Sequence, residues 1–168
     1  MIIREAGIND AQAIARVAVE TWKASYRGIV ADRYLDKLNY EERENGWRKF
    51  PWDQSFVFVA EDDRRIMGFA AAGPERESDP EYQGELYAIY VHPSVQKKGI
   101  GSRLFRSVAT RFRRAGVESL KAWTFSDSPF RKFYEDHGGK AIGSKIFEME
   151  GFHGRITAYG WLEIAKIQ

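Results

Sequence analysis

The 168-residue chain has no cysteine, which excludes disulfides, thiolate nucleophiles and thiolate metal sites. That suits a reducing compartment, and a cytoplasmic protein is expected. Long apolar runs are missing too. No segment approaches the ~18 apolar residues of a membrane span, and Met1-Ile2-Ile3-Arg4-Glu5 lacks the apolar run of a signal peptide. A soluble protein with no membrane partner is therefore expected. Its three histidines, His92, His137 and His153, show no metal-ligand spacing, and there is no His-Glu-x-x-His element, so no metal is expected. An excess of one charge sign is also lacking. With 26 basic and 24 acidic side chains the net charge is +2, too balanced to predict a nucleic-acid partner.

What is present is ample apolar material. A content of 43% hydrophobic and 14% aromatic residues excludes a disordered or low-complexity chain. The length fits one domain over residues 1–168, with no repeat and no linker. Charge is patterned locally, with an acidic stretch from Glu75 to Glu85 and a basic one from Lys97 to Arg114.

A short apolar start at Ile2 and Ile3 precedes a helix capped by Asn9 or Asp10, whose Ile14, Val17, Ala18 and Trp22 recur at helical spacing. Residues 25–50 read as two short broken helices. Phe56 to Ala60 and Ile66 to Ala72 flank the polar turn Asp62-Asp63-Arg64-Arg65 and read as a hairpin. Glu85 to Val91 alternates, with Tyr87, Ile89 and Val91 on one face and Leu86, Ala88 and Tyr90 on the other, until Pro93 stops it. Leu104, Phe105, Val108, Ala109 and Phe112 make an amphipathic helix ending at Gly116. Leu120 to Phe125 is a strand, and Pro129 to His137 a helix stopped by Gly138-Gly139. Ala141 to Glu150 and Arg155 to Ile164 close the chain as a hairpin turning at Gly151 to Gly154. The order is strand, two or three helices, three strands, helix, strand, helix, two strands, or β-α-α-β-β-β-α-β-α-β-β at its shortest. The strand-helix-strand centre requires a right-handed parallel crossover, hence an α/β fold with a mixed sheet flanked by helices.

Chemistry concentrates in Gln96-Lys97-Lys98-Gly99-Ile100-Gly101, between a strand and a helix. Glycines there let backbone N–H groups approach a ligand, the helix dipole adds roughly half a positive charge, and two lysines add full ones. Two glycines can equally serve only to turn the chain into its helix. A nucleoside-triphosphate loop is excluded because Gly-x-x-x-x-Gly-Lys-Ser/Thr occurs nowhere. A dinucleotide fold is disfavoured because Leu104 stands where a third glycine belongs, and Thr124 and Phe125 stand where an acidic residue should end the next strand.

The segment matches Gln/Arg-x-x-Gly-x-Gly/Ala and resembles the acetyl-CoA site of the GCN5-related N-acetyltransferase (GNAT) superfamily. Glu85 to Pro93 looks like that family's fourth strand, and Phe133-Tyr134-Glu135 with Gly138-Gly139 looks like its Phe-Tyr-x-x-x-Gly-Phe element, so the resemblance spans nearly the whole chain. It implies a splayed sheet in which the strand ending at Val91 parts from the one ending at Phe125. Acetyl-CoA would lie between them as co-substrate. Tyr90 and Val91 would give main-chain bonds to pantetheine, and Gln96, Lys97, Lys98, Gly99, Ile100, Gly101 and Ser102 would hold the pyrophosphate. Asp127 replaces the family's usual asparagine at the pantetheine arm, and Phe130 a frequent alanine; the aspartate accepts an N–H but lacks amide donors.

The resemblance also suggests roles. Glu85 is a candidate base, directly or through water, or else a solvated strand-end charge. Tyr134 is a candidate acid for the CoA sulfur, or else a core tyrosine, with Phe133 beside it able to fill the packing role. Trp22, Tyr26 and Trp123 are candidates for the acceptor side, with core packing as the alternative. Glu75, Glu77, Asp79 and Glu81 lead into Glu85 and could draw in a cation, so the expected acceptor is a primary amine of a small molecule or peptide. A CoA-binding regulatory domain without acceptor chemistry is the alternative function. Arg103, Arg106, Arg111, Arg113 and Arg114 read as a solvated face rather than a nucleic-acid contact. The terminal hairpin offers an edge for a homodimer.

Overall fold

The computed structural model describes residues 1–149 and 152–167. Seven strands, β1 (Ile2–Glu5), β2 (Phe56–Asp62), β3 (Arg65–Pro74), β4 (Gly84–Val91), β5 (Leu120–Phe125), β6 (Lys140–Met149) and β7 (Phe152–Trp161), form one sheet in the order β1-β2-β3-β4-β5-β7-β6. All neighbours are antiparallel except β4 and β5, which are parallel across the helical crossover. The mixed α/β sheet expected from the element order is therefore present. Between β1 and β2 run three helices, the longer of the two expected arrangements, α1 (Ala11–Ser25), α2 (Asp32–Lys37) and α3 (Tyr40–Arg48). The crossover is α4 (Ile100–Arg114), and α5 (Arg131–Asp136) follows β5.

Helical periodicity explains the layers. Ile14, Val17 and Ala18 of α1 pack with Val57, Val59, Phe69 and Ala71 on one side of the sheet. On the other side Leu104, Phe105, Val108, Ala109 and Phe112 of α4 pack with Ala70, Ala72, Leu86 and Leu120. Neither expected cap side chain closes α1. Asp10 precedes it, but its carboxylate accepts from the Gly7 amide and pairs with Arg4 instead. Helix α3 is capped by Asn39, whose side chain accepts from the Glu42 amide at 2.8 Å.

Three expectations need correction. Strict alternation in β4 fails because Ala71 pairs with Ala88 while Ala72 pairs with Leu86, leaving Tyr87 as an extra, bulged residue. Parity therefore flips there. Leu86, Ile89 and Val91 face the α4 layer, while Tyr87, Ala88 and Tyr90 face the α1 layer. Helix α5 starts at Arg131 rather than Pro129, because the Phe130 amide is taken by the Ser128 hydroxyl at 3.1 Å. Finally β7 begins at Phe152, so Phe152 to Gly154 belong to the strand, and Ile164 lies in a short 3₁₀ turn. The rest of the expected turn, Gly151 with the preceding Glu150, lies outside the described residues.

The residue ahead of α4, Gly99, holds φ +76, and a β-carbon built on it would meet nothing within 4 Å. Space is thus no obstacle to a side chain there, only the left-handed backbone is. Gly99→Ala should cost about 1–2 kcal/mol of unfolding free energy in urea titrations; a neutral result would mean that the loop relaxes to another conformation.

Candidate active site

Strands β4 and β5 pair at only three positions, Gly84 with Leu120, Glu85 with Lys121 and Leu86 with Ala122. Past the Tyr87 bulge the strands separate, while β5 stays paired with β7 as far as Phe125 opposite Ile156. A bulge bends and twists its strand, which accounts for the parting at this point. The gap is a cavity of about 1200 Å³. It is walled by β4, β5, the end of α1, the start of α4, α5 and the β6–β7 hairpin.

At one end lies the glycine segment. Gln96 swings its amide back to donate to the Val91 carbonyl at 2.9 Å, bracing the strand end against the loop. Lys97 adopts φ +60 and Gly99 φ +76, so two of three successive residues are left-handed; such strain persists only where surroundings enforce it, and it clusters at functional sites. A β-carbon on Gly101 would come within 3.3 Å of the Phe133 ring, so glycine keeps the first turn of α4 close to α5. The Ser102 hydroxyl lies 3.0 Å from Nε2 of His137, whose Nδ1 lies 2.7 Å from the Phe133 carbonyl. That carbonyl only accepts, so Nδ1 carries a proton and donates to it.

Tyr90, Val91, Gln96, Lys97, Gly99, Ile100, Gly101, Ser102, Phe130 and Tyr134 all line the cavity. Lys98 and Asp127 do not. Asp127 is exposed in a separate shallow depression with Ser126, Arg131 and Glu135. Ser126 still donates to the Arg155 carbonyl at 2.9 Å, so the chain turns only after leaving the sheet, and the Asp127 side chain meets solvent.

Tyr134 sits in mid-cavity, 7% exposed, its ring stacked on Tyr159 at 5.5 Å between centroids. Among the described residues its hydroxyl has no hydrogen-bond partner. Burial, then the neighbouring Tyr90 and Tyr159, push the phenol well above its ordinary range and keep it protonated. Burial likewise raises Tyr90 and Tyr26.

Glu85 is not a solvated strand-end charge, being 2% exposed. Arg76 holds it, with Nη2 donating to Oε1 at 2.7 Å and both Nε and the backbone N–H donating to Oε2 at 3.2 Å. Arg76 in turn lies over the Tyr87 ring at 4.0 Å. The acidic loop is similarly occupied. Lys121, its side chain 3% exposed, donates to Glu75 at 2.7 Å, Glu77 at 3.2 Å and Asp79 at 3.3 Å, and Lys145 pairs with Glu77. Four carboxylates thus face three cations, and of the expected acidic approach Glu75, Glu77 and Asp79 are spent on internal pairing, while Glu81 is exposed and has no ion pair among the described residues.

The opposite end is aromatic. Trp22, Tyr26 and Trp123 all line it, so the acceptor-side candidates converge there. Trp22, Tyr26 and Phe125 meet edge to face at centroid separations of 4.9 to 5.9 Å. Arg76, Lys145, Phe147 and Ile156 also line this end and are not legible as site residues in the sequence. Arg76 leaves one signal, a lone arginine within an acidic run; the other three arrive through long-range strand pairing. Among the described residues there is no cluster able to hold a metal ion and no helix long and apolar enough to cross a membrane.

A profile of the acetyltransferase (GNAT) family matches residues 20–139. The chain is 32% identical over 167 residues to the uncharacterized N-acetyltransferase YuaI of Bacillus subtilis, covering 99% of this chain and 95% of that one. A GNAT-family acetyltransferase structure from Desulfovibrio desulfuricans superposes with a TM-score of 0.72 at 25% identity, covering 97% of this chain and 98% of that one. The PaiA N-acetyltransferase of Thermoplasma acidophilum, solved in complex with coenzyme A, shares the fold at a TM-score of 0.66 and 21% identity over 93% of this chain and 96% of its own.

Proposed function

The chain belongs to the acetyltransferase (GNAT) family and is an acyltransferase, and from that premise we propose that it moves an acetyl group from acetyl-CoA to a primary amine of a small molecule or peptide. The parting of β4 from β5 after three paired residues carries this reading. It leaves the β4 edge from Tyr87 to Val91 without a neighbouring strand, so backbone groups there, apart from the Val91 carbonyl that Gln96 and Thr21 occupy, can meet the amides of a pantetheine arm. Acetyl-CoA supplies a thioester, an acyl group activated toward amines.

The residues present fit it. The strained glycine loop and first-turn amides of α4 suit the pyrophosphate, with Lys97 as the cation at the cavity wall. The side chain of Gln96 is committed to the Val91 carbonyl and its N–H is directed to the Pro93 carbonyl at 3.5 Å, so Gln96 braces the loop. Asp127 and Lys98 have no part in this reading.

An amine must lose its proton before it attacks, and the departing thiolate must gain one. Glu85 suits the first of these transfers, because its Oε1 has a single partner, Arg76, which leaves a lone pair for the amine or an intervening water. Tyr134 suits the second. A phenol kept neutral by burial retains its proton until a thiolate forms beside it.

Native mass spectrometry with acetyl-CoA, followed by turnover on amines, tests the reading. One acetyl-CoA per chain and an acetylated amine are expected. Failure to bind acetyl-CoA would overturn it, and binding without transfer to any amine would favour a regulatory CoA-binding domain.

A further inference from the structure

Charge and aromatic lining at the far end of the cavity together specify more about the acceptor than its amine. The charged side chains lining that end are Arg76, Glu77, Glu85 and Lys145, and they form two ion pairs, Arg76 with Glu85 and Glu77 with Lys145. Glu77 is further held by Lys121. A further cation, Arg43, lies 5.8 Å from the Trp22 ring. No lining carboxylate at this end is left without a cation among the described residues. A second ammonium on the acceptor would therefore have to compete with a lysine or arginine already in place, and at Glu85, whose side chain is only 3% exposed, displacing Arg76 would break a pair with a buried carboxylate.

Most of the remaining wall is Trp22, Tyr26, Trp123, Phe125, Phe147 and Ile156, with Ser25 and Thr124 between them. Lys145 lies 4.3 Å from the Trp123 ring and covers part of it, so this lysine also borders the apolar surface. Such a wall rewards apolar area.

We propose that the acceptor is a monoamine carried on an aromatic or similarly apolar body, with the body seated among these six side chains and the amine directed toward Glu85. Polyamines and amino sugars are poor acceptors on this basis. The inference rests on the acetyltransfer reading above, but it can fail separately.

The test compares kcat/KM for 2-phenylethylamine and tryptamine with that for spermidine and glucosamine, acetyl-CoA binding being read independently by native mass spectrometry. Values at least about tenfold higher for the two aromatic amines are expected, the scale set by burying a ring-sized apolar area. Phe147→Ala should narrow that ratio, since Phe147 lines the cavity and is only partly buried against the aromatic cluster of Phe125 and Phe152. A preference for spermidine or glucosamine, with acetyl-CoA bound, would overturn the inference and leave the acetyltransfer reading standing. Acetyl-CoA bound with no amine acetylated would overturn both.

Discussion

Tyr134→Phe should lower kcat by about 10²- to 10⁴-fold, the range in which a positioned proton donor contributes, while acetyl-CoA affinity remains within about twofold. The substitution removes one oxygen from a ring that would still stack on Tyr159 and contact Phe133 and Trp161. Among the described residues that oxygen has no hydrogen-bond partner to orphan, so folding loses little. Rapid-quench turnover and calorimetric titration with acetyl-CoA separate the two quantities. An unchanged kcat would remove Tyr134 from the proton transfer and return it to the core. Weakened acetyl-CoA binding with normal kcat would assign the hydroxyl to holding the thioester.

Lys121→Ala should cost about 3–5 kcal/mol of stability, the usual toll for breaking a buried pair by removing one partner. With ΔG of unfolding generally about 5–15 kcal/mol, that is a large share of the total. The three carboxylates on Lys121 are the reason, Glu75 above all, with a side chain only 4% exposed. Burial raises the Glu75 carboxyl, yet Lys121 and the amides of Asp79 and Glu77 together outweigh it and hold it below its ordinary 4.5. Lys145 first, then Lys121, outweigh burial at Glu77 and lower it as well. Both folded-state values are depressed, so this stabilisation is present above the unfolded pKa near 4.5 and is lost as pH falls through the lower folded values. In Lys121→Ala the buried carboxyl favours its proton instead. The stability gap between parent and variant in urea titrations should therefore shrink as pH drops from about 7 toward about 4. A gap that stays constant with pH would mean that Lys121 acts through packing alone.

Much of this is readable from residue order. Helical spacing in α4 and the apolar runs in β2 and β3 report burial directly, and those elements lie where pattern places them. The glycine segment is legible because φ and close approach constrain residue type locally. The bulge at Tyr87 is not, since alternation through Glu85 to Val91 looks unbroken and only the register against β3 exposes the extra residue. Nor can the fate of the acidic loop be read. Its partners Lys121 and Lys145 lie 46 and 68 residues from Glu75 and Glu77 respectively, and long-range ion pairs leave no local periodicity. Asp127 shows a complementary limit, because correspondence of position with a family motif does not determine which way a turn residue points once the turn starts one residue beyond the strand.

A strand with an unpaired edge is ordinarily a hazard, because its row of free N–H and C=O groups templates pairing with another polypeptide. The open stretch of β4 lies in mid-sheet rather than at a border, with β3 on one side and β5 with its own neighbours across the gap. Strand neighbours need about 4.8 Å of lateral room along their length, plus space for side chains above and below. The three rungs at Gly84 to Leu86 close the gap at one end, and Trp22, Tyr26, Phe133 and Tyr134 crowd it from the helical layers. A side-chain-free linear molecule can lie along that edge where a second chain cannot, so the fold keeps exposed backbone valence for a ligand while denying it to aggregation.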